Sequence, residues 1–153
     1  MSAFTRRQFS FGLAAILIST SAVVDLQAAV GAESAINSIR RAHGLGRVHP
    51  DRSLQGAAEH QARLMAAHDK ISHAVSAGQS FRNRMRQAGI SGRTGENVSA
   101  GRRDLASVLD GWMNSPGHRR NLLNRDFSRF GLASALPEGR SRYGIYWALI
   151  LAS

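Results

Sequence analysis

Residues 104–118 read Asp-Leu-Ala-Ser-Val-Leu-Asp-Gly-Trp-Met-Asn-Ser-Pro-Gly-His, and the fold can be read outward from this stretch. Leu105, Val108, Leu109 and Trp112 recur at the i, i+3, i+4, i+7 spacing that puts one apolar stripe of a helix against a core, and Asp104 is placed to cap its first turn. Pro116 disfavours helical geometry at Ser115 and ends the helix there. Beyond this point the period changes. Residues 130–136 and 143–151 read as strands, separated by the turn-rich Pro-Glu-Gly-Arg-Ser of 137–141.

Upstream, the pattern is helical. Ile36, Ile39 and Arg40 share a face within 35–43, which stops at Gly44. Asp51 or Ser53 suits the cap of a second helix carrying Leu54, Ala57, Ala58, Leu64 and Met65, a face rich in small residues that should pack close. Phe81, Met85 and Ala88 mark a short third helix ended by Gly89. Helices first and strands last predict a layered α+β domain with an antiparallel hairpin near the C-terminus. No repeat or low-complexity linker interrupts 33–153, so the expectation is one continuous domain.

Composition narrows the class. At 153 residues, 43% hydrophobic and 20% charged, the chain is neither a disordered tail nor a multi-span membrane protein. Zero Cys excludes a disulfide scaffold, a Cys-ligated zinc ribbon, an iron-sulfur centre and a thiol nucleophile, so any metal must sit on His and carboxylate. The formal charge of +10 is carried by 19 Arg and the single Lys70, which makes the surface anion-seeking.

Residues 1–32 read as a signal peptide. Arg6 and Arg7 followed by Phe9, then an apolar or small stretch from Gly12 to Val24, resemble a twin-arginine signal, with small residues suited to cleavage near 28–32. The stretch is too short for a comfortable span, so after cleavage no stable membrane anchor is expected, and the domain of 33–153 should work in the periplasm or outside the cell. Losing Arg6, Arg7 and Asp25 still leaves +9 of the whole chain's +10. An exported cation meets anionic lipid and envelope polymers before nucleic acid, and no zinc finger, RRM motif or basic heptad region points to nucleic acid.

Catalytic motifs are sparse. The six His, at 43, 49, 60, 68, 73 and 118, form no His-Glu-x-x-His, and 97–101 read Asn-Val-Ser-Ala-Gly rather than a nucleophile elbow. Three polar islands remain: Ile71-Ser72-His73, Gly95-Glu96-Asn97-Val98, and Ser115 to Asn121. In the last, Ser115 suits an N-cap and Pro116 the first helical position, so His118 falls in the first turn, where the helix dipole disfavours imidazolium. Trp112, Tyr146 and Trp147 sit on periodic apolar patterns and read as core or cavity wall.

These islands, with Ile36-Asn37-x-x-Arg40-x-x-His43-Gly44-Leu45, Ala57-Ala58, Met65-Ala66, Trp112-x-x-Ser115-Pro116-Gly117-His118-Arg119-x-Asn121-Leu122-Leu123 and Gly131-Leu132-Ala133, closely resemble the bacterial branch of the CAP superfamily. The resemblance runs in order over essentially all of 33–153. It implies an α-β-α sandwich with a small antiparallel sheet between helices. It also implies a cavity lined by two His and two acidic residues that in several members holds a divalent metal. His73 matches the first His, Glu96 the first Glu and His118 the second His, while the second acidic position, three residues after Trp112, is Ser115. The implied metal set is therefore His73, Glu96 and His118, with Ser115, Asn97 and Asn121 lining the cavity. Two imidazoles and one carboxylate suit Zn²⁺ with an open position, of modest affinity that weakens below about pH 6 as His protonates. The implied function is an exported binding module without turnover of its own. The alternatives are a zinc-assisted hydrolase of peptides or esters, and an arginine-rich binder of anionic envelope polymers or lipids.

Overall fold

The computed structural model describes the backbone of residues 20–153 and side chains from residue 30 onward. The twin-arginine reading at Arg6 and Arg7 lies outside the described residues. In chain order the elements are α1 (Thr20–Ala42), β1 (His49–Pro50), α2 (Arg52–Ala67), α3 (Phe81–Gln87), β2 (Thr94–Ala100), α4 (Leu105–Met113), α5 (Pro116–Leu122), β3 (Arg129–Ala135) and β4 (Tyr146–Ala152). Among the described residues no helix is long and apolar enough to cross a membrane.

The helix boundaries follow local chemistry. Asp51 accepts from the Ser53 and Leu54 amides at the start of α2, Ser80 from Asn83 at α3, and Asp104 from Ser107 at α4. Ser115 takes extended geometry at φ −108° and ψ 117°, as the following proline requires, and separates α4 from α5.

The four strands lie in the order β1-β3-β4-β2. β3 and β4 form the expected antiparallel hairpin, from Arg129 opposite Ala152 to Ala135 opposite Tyr146. β4 is buried along its whole length because helices cover both faces of the sheet. Its alternate side chains divide two core layers. Tyr146, Ala148, Ile150 and Ala152 pack with Leu54, Ala58, Ala62 and Met65 of α2 and with Met85 of α3. Trp147, Leu149 and Leu151 pack with Ile36 of α1, Val108, Leu109 and Trp112 of α4, and Leu122 of α5. A helix-sheet-helix sandwich results, and each large side chain taken fully out of water contributes about 1.5–3 kcal/mol.

Two contacts tie the layers to named motif residues. A Cβ on Gly131 would overlap the Leu54–Gln55 peptide, so glycine in β3 is what lets the start of α2 lie directly on the strand. Arg40, 1% exposed, donates to four main-chain carbonyls: Gly46 (2.7 Å), Leu122 (2.9 Å), Asn124 (2.9 Å) and Phe127 (3.2 Å). Asn37, one turn earlier, grips both the N–H and the C=O of Val48 at 2.8 Å. The Asn37-x-x-Arg40 pair therefore fastens α1 to two loops through backbone atoms.

Three elements differ from the sequence reading. The first helix begins at Thr20 rather than near residue 35. Residues 94–100 form a strand, β2, that no apolar alternation announced, because its buried positions include Gly95, Glu96 and Asn97. The sheet also carries one parallel contact, β1 with β3, of two residues.

Candidate functional site

β2 is an edge strand paired only with β4, and it carries Gly95-Glu96-Asn97. Successive side chains of a strand point to opposite faces, so Glu96 turns toward α3 and Asn97 toward α5. The Glu96 side chain is 1% exposed, and both of its oxygens are engaged. His73 Nδ1 donates to Oε1 at 2.7 Å, and an Arg84 Nη2 hydrogen bond reaches Oε2. Arg84, on α3, also holds the carbonyls of His73 (2.8 Å) and Gln79 (2.6 Å) through Nη1.

The His73 loop is fixed from its backbone. Gln61 of α2 donates to the Ser72 carbonyl at 2.6 Å, Ser72 Oγ accepts from the Ala74 amide at 3.0 Å, and Ala74 bridges to Ser80. The imidazole itself is 56% exposed. With Nδ1–H committed to a carboxylate, Nε2 carries the free lone pair, the arrangement that orients a histidine for metal ligation.

His118 stands in the first turn of α5, half-buried, with its ring centroid 6.5 Å from that of Trp112. Burial lowers its pKa, and the nearby His73 pushes it the same way. The neutral imidazole expected from its position is thus favoured mainly by desolvation. The expected side-chain cap at Ser115 is not made: Ser115 occupies the N-cap position with no hydrogen bond from its hydroxyl to the helix.

Asn97 and Asn121 bolt α5 to β2. Asn97 Nδ2 donates to the His118 carbonyl at 3.0 Å, and Asn121 Nδ2 donates to the Glu96 carbonyl (3.1 Å) and to Asn97 Oδ1 (2.9 Å). Trp112 Nε1 donates to the Val98 carbonyl at 3.3 Å. These side chains cover carbonyls of the edge strand and hold His118 in place across its end. A Cβ on Gly95 would stand 2.8 Å from Asn121 Oδ1, so this packing requires glycine there. Asn97 is completely buried and faces α5, so its role here is positional rather than as the wall of an open cavity.

Among the described residues, no group of three or more His, Cys, Asp or Glu is clustered closely enough to hold a metal ion. The donor chemistry explains how the implied set divides. Glu96 gives its oxygens to His73 and to a guanidinium, so it fits as the group that orients His73 rather than as a ligand. His73 and His118 fit as imidazole donors. Arg84 is the residue that sequence reasoning missed, since a lone arginine on a short helix reads as solvated until its partner on β2 is placed beside it. Two surface concavities lie elsewhere, a groove of about 340 Å³ between α2 and α3 and a smaller one beside α1, and neither is lined by His73, Glu96 or His118.

The chain matches the model of the CAP family, described as the cysteine-rich secretory protein family, over residues 33–151. Over 97 residues it is 33% identical to the uncharacterized protein YkwD of Bacillus subtilis (strain 168) and 30% identical to the uncharacterized membrane protein YlbC of the same organism. Those alignments take in 63% of this chain and 38% and 28% of the relatives, so the chain spans well under half of their lengths. Among solved structures, an extracellular protein containing an SCP domain from Bacillus anthracis matches with a TM-score of 0.68 at 25% identity, over 80% of this chain and 39% of that one. An outer surface protein of Borrelia burgdorferi shares the fold, with a TM-score of 0.69 at 23% identity over 88% of this chain and 96% of that one.

Proposed function

The chain belongs to the CAP family, though it has none of the cysteines of the family's name, and on that premise we propose that it is an exported bacterial binding module whose His73 and His118 receive a divalent ion. The observation that carries this reading is the double engagement of Glu96. A general base must keep a lone pair and a path to the proton it removes. Glu96 lacks that path: its side chain is buried, one oxygen accepts from His73 and the other from Arg84. No second carboxylate replaces it, because Ser115 stands where the resemblance leads one to look for an acid. On this reading Glu96 is a positioning group rather than a general base, which favours binding over turnover.

His73, through Nε2, and His118 would hold the ion, and Glu96 would fix the His73 tautomer from behind. Zn²⁺ there would supply a Lewis-acidic point of attachment for an anionic or carbonyl-bearing ligand. Two imidazoles and no carboxylate in direct contact make a weak site, and affinity falls as the imidazoles protonate. Burial lowers the pKa of His118, so that imidazole stays available as a donor to lower pH than an ordinary histidine. Calorimetric zinc titration of the chelator-stripped protein at pH 7.5 and pH 5.5 tests this. Binding is expected at the higher pH alone and should be abolished in His73→Ala and His118→Ala. Undiminished zinc uptake by those variants would remove the proposed site.

Export is supported by the signal-like residues 1–32 and by the extracellular and outer-surface descriptions of the structural relatives. Replacing Arg6 and Arg7 by Lys should retain the protein in the cytoplasm if the twin-arginine route is used, and unchanged export would reject that route.

A further inference from the structure

Arg40 does more than fasten α1. The carbonyls it holds, of Gly46, Leu122, Asn124 and Phe127, draw the loop after α1 and the end of α5 around one point, the C-terminus of α1. The residues beside these anchor points are basic and exposed: Arg41 next to Arg40, Arg119 and Arg120 in the last turn of α5, and Arg125 next to Asn124. Arg119 comes so close to the end of α1 that its Nη2 donates to His43 Nε2 at 3.3 Å, which leaves His43 Nδ1–H to donate to the Ile39 carbonyl at 2.9 Å. An exposed guanidinium that uses an imidazole as its side-chain acceptor is one without a carboxylate beside it. None of the four arginines has an ion-pair partner among the described residues. The chain carries no acid between Glu33 and Asp51 or between Asp110 and Asp126, and Glu33 and Asp126 are already engaged, by Arg47 with His49 and by Arg93.

We propose that this corner is a docking surface for a linear phosphodiester polymer of the cell envelope, its successive phosphates taken by Arg41, Arg119, Arg120 and Arg125. Four unpaired guanidiniums without a competing acid concentrate anions at the surface. Neither groove described above is lined by Arg119, Arg120 or Arg125, so these side chains stand on an open face. A small anion there is held by one exposed charge contact, which is worth little. A polymer engages several contacts at once, and each further one forms at high effective concentration. Every phosphodiester repeat offers two unesterified oxygens that match the paired N–H groups of a guanidinium. The proposal takes only export from the reading above, and it holds whether or not His73 and His118 receive an ion.

The test is an anisotropy titration of dye-labelled poly(glycerol phosphate) with the exported form of the protein, in EDTA so that zinc plays no part. Saturable binding is expected, weakening about fiftyfold between about 50 and 200 mM salt, as roughly four phosphate contacts on a flexible chain require. Arg41→Gln/Arg119→Gln/Arg120→Gln/Arg125→Gln should lose about tenfold or more in affinity at the lower salt, together with most of the salt dependence. Arg52→Gln/Arg82→Gln/Arg86→Gln/Arg140→Gln removes the same charge from exposed arginines elsewhere and should bind within a few-fold of wild type. Arg120→Gln/Arg125→Gln, at two exposed side chains, supplies the variant that keeps its Tm, with about half of the loss on a logarithmic scale. Equal losses in the two quadruple variants would show that net charge alone binds the polymer and would overturn the corner as its site. No saturable binding at the lower salt, or equally tight binding of polygalacturonate, would overturn the phosphodiester assignment. Tighter binding to phosphatidylglycerol vesicles than to the polymer would assign the face to a membrane surface instead.

Discussion

Arg84→Met is the perturbation that most directly probes how the site is held. The Arg84 and Glu96 side chains are 2% and 1% exposed, so the substitution leaves a carboxylate in a nearly dry position with Oε2 unpaired. Removing one partner of a buried ion pair costs about 3–5 kcal/mol. The carbonyls of His73 and Gln79 also lose their Nη1 donor, adding roughly 1 kcal/mol each where water can partly replace it. Entry of water at Glu96 and the similar length of Met limit the total, so a loss of about 4 kcal/mol is expected. That is a large share of the roughly 6–18 kcal/mol ordinary for a domain of this size. In Arg84→Met/Glu96→Met the stranded carboxylate is gone, leaving the two carbonyls and the half-exposed His73 Nδ1–H, which water can serve, so the double variant should be more stable than Arg84→Met, losing only about 2 kcal/mol. Urea unfolding followed by the fluorescence of Trp112 and Trp147, both in the α4-side core, measures all three proteins. A loss below about 1 kcal/mol for Arg84→Met, or a double variant no more stable than Arg84→Met, would refute the claim that Arg84 holds Glu96 as a buried pair.

Arg40→Ala orphans four carbonyls at the junction of α1, α5 and the loop before β3, and should cost about 4 kcal/mol or prevent folding. Arg40→Lys, which cannot span the four acceptors, should recover only part of that loss in the same urea assay. Acid stability should depend on Asp69, whose carboxyl is held well below the usual range by hydrogen bonds from Ser141, Tyr146 and Arg142. A depressed carboxyl contributes stability that is complete above its unfolded pKa of about 3.9 and is lost as pH falls through the folded value. Asp69→Asn removes the charge while tolerating the φ of +47° found there, so its Tm should fall less steeply than wild type between about pH 4 and pH 2. Parallel Tm curves would show that Asp69 does not carry the acid limb.

Much of the fold was legible because its signals are local. The stripe of Leu105, Val108, Leu109 and Trp112 made α4, Asp51 and Asp104 capped where capping residues belong, and the turn at 137–141 separated the two hairpin strands. β2 was not legible by period, since a strand whose inward residues are Gly95, Glu96 and Asn97 shows no apolar alternation. Those positions could be marked only through the family resemblance of Gly-Glu-Asn and Ser-Pro-Gly-His, which named His73, Glu96 and His118 without saying how they meet.

Their meeting depends on residues far apart in the chain. Arg84 stands 12 positions from Glu96, and Asn121 stands 24 from Asn97, so no local pattern links them. Helix and turn formation depend on neighbours within about four residues, and composition and spacing carry that information along the chain. Whether Glu96 is a free base, a ligand or a paired carboxylate depends instead on what α3 places against it and how much water is left there. The layered fold and the likeness to the CAP family could thus be read from the amino acids in order, whereas the locked state of Glu96, the burial of His118 and the arginine corner at the end of α1 exist only once the helices are packed on the sheet.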